Sequence, residues 1–89
     1  MIKQDILEGR HNTIILALGS NLGNRAHNIE KTKFHLSHFC YFLKVSKLYE
    51  TPSWPNQSNP KFLNQIIECK TNLTIVDLFE KIKKIEILL

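Results

Sequence analysis

Cysteine, proline, glycine and aspartate are all scarce in this chain of 89 residues. Its two cysteines, Cys40 and Cys69, are too few and too isolated for a disulfide framework or a CxxC zinc motif, so reduced thiols are expected. Three Gly and three Pro exclude collagen-like and low-complexity chains, and 43% hydrophobic with 22% charged residues leaves a globular composition. No apolar run approaches the roughly 18 residues of a membrane-spanning helix. Residues 1–12 carry Asp5, Glu8 and Arg10 in place of an apolar signal segment, so they read as a polar leader on a soluble, cytoplasmic protein with no membrane partner. A chain of this length forms one domain and removes only about 60–65% of its unfolded surface from water, which makes its stability marginal.

Acidic groups are also outnumbered. Twelve Lys and Arg against eight Asp and Glu give a formal charge of +4, a bias toward anionic partners such as nucleotides that does not mark a nucleic-acid binder. The densest cluster, Lys81, Lys83 and Lys84, alternates with Ile82 and Ile85 and reads as the solvated face of a helix. His35 and His38 stand three apart, but no acid or thiol nearby completes a zinc site, so they are expected at the surface with no metal bound.

What is present is a clear succession of elements. The run Thr13 to Leu18 is short, apolar and followed by Gly19, which suits a buried strand. Gly19-Ser20-Asn21-Leu22-Gly23-Asn24 supplies a turn, and Asn24 can cap a helix over about 24–40 whose apolar side holds Ala26, Ile29, Leu36, Phe39 and Cys40. An amphipathic strand over 43–51 ends at Pro52, and the stretch to Pro60 has no periodicity and must be a loop. Residues 62–71 alternate, with Phe62, Asn64 and Ile66 on one face and Leu63, Ile67 and Cys69 on the other. Thr74 and Asp77 resemble a capping box for a last helix whose apolar face is Ile75, Leu78, Phe79, Ile82, Ile85 and Leu89.

The order strand, helix, strand, strand, helix predicts an α+β, ferredoxin-like βαββα arrangement, truncated before the final strand of a βαββαβ unit. In that arrangement the third strand lies between the first two. The missing strand would have covered the other side of strand 13–18, so that strand is expected at an exposed edge, a route to self-association.

Four segments in order carry a resemblance: Ala17-Leu18-Gly19-Ser20-Asn21-Leu22-Gly23-Asn24, Val45-Ser46-Lys47-Leu48-Tyr49-Glu50-Thr51-Pro52, Asn59-Pro60-Lys61-Phe62-Leu63-Asn64, and Ile85-Glu86. Over about 13–89 the chain resembles the amino-terminal half of the hydroxymethyldihydropterin pyrophosphokinases of folate synthesis. The resemblance implies a transferase that uses ATP and magnesium and passes a diphosphate to the hydroxymethyl oxygen of the pterin. It implies that Asn64 offers a donor and an acceptor to the pterin edge and that Phe62 packs on the ring. By the same resemblance Thr51, Pro52 and Trp54 form another wall, and Glu86 stands near the nucleotide beside Lys83, where the family pattern usually has Gln. Read without it, Phe62 and Trp54 are ordinary core or loop-anchoring aromatics, and the Gly19–Gly23 turn only redirects the chain.

Diphosphate transfer requires a counterweight to polyphosphate charge, normally magnesium on carboxylates together with Arg or Lys. The family takes these from its second half, as a basic loop and an Asp-x-Asp pair. Here the aspartates are Asp5 and Asp77 and the arginines Arg10 and Arg25, and no magnesium site assembles from them. The expectation is a truncated relative, inactive as the isolated chain. Alternatives are one half of a split enzyme with a complementing carboxy-terminal fragment, a noncatalytic pterin- or nucleotide-binding module, a relic of a disrupted gene that hardly folds, or an interaction module using the exposed edge. An RNA-binding domain is disfavoured because the strands lack paired base-stacking aromatics.

Overall fold

A computed structural model describes residues 2–10, 13–53, 55 and 58–88. Strand β1 (Ile2–Arg10) is followed by β2 (Thr13–Ser20), helix α1 (Arg25–Leu36), β3 (Tyr41–Val45), β4 (Tyr49–Thr51), β5 (Phe62–Lys70) and helix α2 (Ile75–Leu88). The antiparallel sheet runs β1-β2-β5-β3, and β4 also pairs with β5. β3 takes the Ile67–Lys70 half of β5 and β4 the Phe62–Asn64 half, so together they form one interrupted edge. The class is α+β, compatible with a ferredoxin-like sheet short of its last strand.

Side-chain alternation sets the layers. Ile14, Leu16 and Leu18 of β2 and Ile67 and Cys69 of β5 are buried under both helices, meeting Ile29 and Leu36 of α1 and Leu78, Ile82 and Ile85 of α2 in one core. The opposite parity, Ile15, Ala17, Asn64 and Ile66, faces away from the helices and is only half-buried. Polar groups caught between elements are satisfied. Buried Gln65 accepts from Lys33 Nζ (3.1 Å) and donates to the Ser46 carbonyl (2.8 Å), and Thr71 Oγ1 donates to the Phe39 carbonyl (2.8 Å).

Both helix starts use the expected caps. Asn24 Oδ1 accepts from the His27 N–H (3.2 Å) and Thr74 Oγ1 from the Asp77 N–H (3.1 Å). Several boundaries differ from the sequence-based expectation. Helix α1 stops at Leu36, because Ser37 caps it with its N–H on Lys33 and His35 carbonyls and its hydroxyl on the Phe34 carbonyl, and a turn follows. The strand expected over 43–51 is broken after Val45, where Ser46 Oγ takes the Ile66 N–H (2.9 Å) in place of a backbone carbonyl. Among the α2 residues whose burial is described, 75–86, only Leu78, Ile82 and Ile85 are buried, while Ile75 and Phe79 are 57% and 50% exposed, since the contact line is a single i, i+4, i+7 stripe and their stripe turns to solvent. Leu89 lies outside the described residues.

The largest correction concerns the amino terminus. Residues 2–10 are not a leader but a strand, paired with β2 from Ile2 opposite Ser20 to Arg10 opposite Thr13. Strand 13–18 is therefore no edge: β1 satisfies its outer backbone groups and β5 its inner ones, so the expected self-association edge is covered. Polar composition did not prevent pairing because ladder bonds are made by the backbone, whatever the side chains.

Candidate functional site

Where β2, β5 and β4 run side by side, Gly19, Asn64 and Tyr49 stand opposite one another on a single rung of the sheet, on the face away from the helices. Thr51 is opposite Phe62, two residues along and on the same face. The alternation expected for 62–71 therefore holds, and it brings Phe62, Asn64 and Thr51 together. Pro52 follows Thr51 at the exposed start of the loop. Trp54 lies outside the described residues.

The amide of Asn64 is fixed by its surroundings. Its Nδ2 donates toward Thr51 Oγ1 (2.9 Å), the Tyr49 carbonyl (3.2 Å) and the Phe62 carbonyl (3.3 Å). Three acceptors around one atom identify it as the nitrogen and turn Oδ1 toward Gly19. A Cβ at Gly19 would stand 3.1 Å from that oxygen and 3.3 Å from a Phe62 ring carbon. Gly19 is thus the floor on which both side chains rest, a role that reading it as part of a turn missed. The signal available in the sequence was register: counting back along antiparallel strands from Asn64 reaches Gly19.

A second arrangement holds the loop that borders this face. Arg25, the first residue of α1, donates through Nη1 to Glu50 Oε2 (2.8 Å) and to the Lys61 carbonyl (3.1 Å). Glu50 precedes Thr51 and Lys61 precedes Phe62, so one guanidinium ties the neighbours of two site residues. Its hydrogen bond and charge hold the Glu50 carboxyl below the usual carboxylate range, helped by the charge of Lys61. Within the loop, buried Ser53 donates its hydroxyl to the Pro60 carbonyl, drawing the two ends together.

The remaining candidates lie elsewhere. Lys83 and Glu86 are exposed on α2, in the layer on the other side of the sheet from Asn64, and Lys83 Nζ sits 5.2 Å from the centre of the Phe79 ring. The structure does not bring them to the face of Phe62, Asn64 and Thr51. A cavity of about 510 Å³ opens at the opposite end of β5, between Cys40, Tyr41, Lys70 and Thr71, and holds none of the expected ligand residues. Free, buried Cys40 and Cys69 are neighbours there, and hydrogen bonding to Cys40 together with burial pushes the Cys69 thiol up. Among the described residues no three His, Cys, Asp or Glu side chains gather as metal ligands, and no helix is long and apolar enough to cross a membrane.

Comparison with known proteins bears on the same segments. Residues 15–89 match the family described as 7,8-dihydro-6-hydroxymethylpterin-pyrophosphokinase. A 2-amino-4-hydroxy-6-hydroxymethyldihydropteridine pyrophosphokinase of Aquifex aeolicus is 39% identical over 74 residues, 83% of this chain and 46% of the relative. The enzyme of the same name from Bacillus subtilis is 33% identical over 85% of this chain and 47% of its own length. A mitochondrial folate synthesis bifunctional protein of Pisum sativum is 34% identical over 82% of this chain and 14% of its own. The chain spans about half the length of the two bacterial relatives. With Gly19, Asn64, Phe62 and Thr51 all inside the matched stretch, the chain belongs to the hydroxymethylpterin pyrophosphokinase family of folate biosynthesis.

Proposed function

We propose that these residues form the pterin-recognition half of a hydroxymethylpterin pyrophosphokinase, able to bind the pterin and unable by themselves to transfer the diphosphate. The observation that carries the reading is the rung Gly19–Asn64–Tyr49 with Phe62 and Thr51 beside it. Oδ1 of Asn64 can accept from a ring N–H. Its Nδ2 can donate to a ring acceptor by giving up one of its two longer bonds, at 3.2 and 3.3 Å, to backbone carbonyls. Phe62 offers a flat apolar surface to the ring, and Gly19 leaves room for both.

ATP and magnesium are the cofactors that the family implies. Magnesium does not fit the residues present: Asp77 stands at the start of α2 with its N–H on Thr74, and the described carboxylates are dispersed. Lys83 and Glu86 remain nucleotide contacts on the family resemblance alone, since α2 lies on the other side of the sheet from the Asn64 rung. A second reading has residues outside these 89 supply the basic loop and the metal carboxylates, since the chain carries 46% and 47% of the length of the bacterial relatives.

Calorimetric titration of the purified chain with 6-hydroxymethylpterin and with a non-hydrolysable ATP analogue, each with and without magnesium, tests both readings. Pterin binding without turnover is expected, and addition of the separately expressed second half of a relative should restore transfer. Turnover by these 89 residues alone would overturn the proposed division of labour.

A further inference from the structure

Cys40 and Cys69 take no part in the site around Asn64, and strand register brings them together. β3 and β5 pair with Phe42 opposite Cys69 and Tyr41 opposite Lys70. Cys40, two residues before Phe42, therefore shares a face with Cys69 and lies diagonal to it, and both side chains belong to the core under the helices. Diagonal neighbours stand roughly 7–8 Å apart, a little beyond the roughly 4.4–6.8 Å that a disulfide spans between Cα atoms. Cys40 precedes β3 and its N–H is on the Leu36 carbonyl (2.9 Å), so it can approach Cys69 without breaking a ladder pair. Both residues are free thiols.

The two sulfurs differ in access. Cys40 is 7% exposed and lines the cavity of about 510 Å³ at this end of β5, with His38 and Lys70 on the same wall, whereas Cys69 is fully buried. They differ in acidity as well. Hydrogen bonding from Cys69 holds the Cys40 thiol below its ordinary value, opposed by burial and helped by Thr71. Cys69 is pushed up by its hydrogen bond to Cys40, by burial and by the charge on Cys40. The thiolate is the nucleophile, so the sulfur that reaches the cavity is also the one that ionises first.

We propose that Cys40 and Cys69 form a thiol-oxidation site for small peroxides, in which Cys40 is the sulfur that reacts from the cavity, Cys69 is the resolving thiol, and the product is a reversible disulfide between the start of β3 and the end of β5. The Cys40 thiolate attacks one oxygen of hydrogen peroxide, the O–O bond breaks, and the other oxygen leaves as hydroxide, which takes up the proton that Cys40 had lost. Cys40 is then a sulfenic acid. The Cys69 sulfur displaces its hydroxyl: the S–S bond forms, the S–O bond breaks, and the hydroxide departs with the Cys69 proton as water. Two thiols lose two electrons between them, and the peroxide is reduced to two waters. Oxidation of Cys40 also removes the charge that holds the proton on Cys69, so the first step prepares the second. The inference is independent of the pterin reading, and its test uses no pterin.

The full chain, exposed to hydrogen peroxide under native conditions and quenched with N-ethylmaleimide, is read by intact mass and peptide mapping. Both thiols should disappear together as the monomer loses two hydrogens, mapping should join Cys40 to Cys69, and dithiothreitol should restore both. Cys69→Ala should stop at a sulfenic acid on Cys40 that dimedone traps, and in Cys40→Ala the remaining thiol should react on the order of tenfold or more slowly. Cys40 carried on to sulfinic acid beside a free Cys69 would overturn the proposal, as would disulfides joining two chains. Both substitutions fall in the core, so the unsubstituted chain decides should either variant fail to fold. There the bond should form while the slowest-exchanging core amides are still protected, and formation no faster than their exchange would mean that the thiols meet peroxide only in the unfolded chain, which would overturn it too.

Discussion

Asn64 owes its orientation to the Thr51 hydroxyl and two backbone carbonyls, and that orientation aims its oxygen across Gly19. Asn64→Ala removes both recognition groups, and losing one or two hydrogen bonds to a ligand costs about 1.5–3 kcal/mol, or roughly 10- to 150-fold in affinity. Fluorescence titration with 6-hydroxymethylpterin should show that loss with circular dichroism unchanged. Gly19→Ala should weaken binding by another route, since its methyl would press on Asn64 Oδ1 at 3.1 Å and tilt the amide. The Arg25–Glu50 pair adds a pH dependence. A carboxyl whose pKa is depressed in the fold contributes stability that is complete above its unfolded value and is lost as the pH falls through the depressed one. Followed by NMR, Glu50 should titrate below the ordinary carboxylate range in the native chain and return toward it in Arg25→Gln. Because the Glu50 carboxylate is exposed and Arg25 only half-buried, molar salt should shrink the difference.

Among the elements, α2 is anchored at its start by the Thr74 hydroxyl on the Asp77 N–H and along its length by Leu78, Ile82 and Ile85. Thr74→Ala should cost about 1 kcal/mol, as removal of an N-cap does, and lower the melting temperature by roughly 4–8 °C in a domain of this size. Thermal denaturation followed by circular dichroism measures it. Caps such as Thr74 and Asn24 were legible because they depend on residues three positions apart, and the faces of β5 were legible because a strand alternates strictly. What was not legible depends on partners distant in the chain. β1 carries a bulge that interrupts its alternation, so its strand state comes from β2 and not from its own pattern. The break after Val45 comes from a serine hydroxyl replacing a carbonyl opposite Ile66, which no local spacing announces. Exposure of Ile75 and Phe79 follows from how narrow a line α2 offers to the core.

Taken as a whole the molecule packs one side of a sheet. Both helices lie on the face of Leu16 and Ile67, and the opposite face leaves Ile15, Ala17 and Ile66 half-covered above the Asn64 rung. The Cα radius of gyration is 12.9 Å, somewhat above the ~12 Å of an ideally compact chain of this length. Half of the candidate site follows from sequence alone, as Phe62 and Asn64 share a strand parity. The other half, Gly19 beneath them and Arg25 tying the loop ends, exists only once three strands and a helix start are assembled. A ligand that needs all of these parts binds the folded chain and not the unfolded one, so it must stabilise the fold. At a pterin concentration one hundred times the dissociation constant the stabilisation is about 2.7 kcal/mol, which in a domain of this size raises the melting temperature by roughly 10 °C or more. The same pterin concentration should stabilise Asn64→Ala by only about 0.3–1.4 kcal/mol, at most about half the native shift, and an ATP analogue alone should produce a smaller shift than pterin on the native chain because Lys83 and Glu86 lie on one exposed helix surface. An equal shift for the native and Asn64→Ala chains would mean that pterin binds away from this rung, and differential scanning calorimetry of the two proteins side by side decides it.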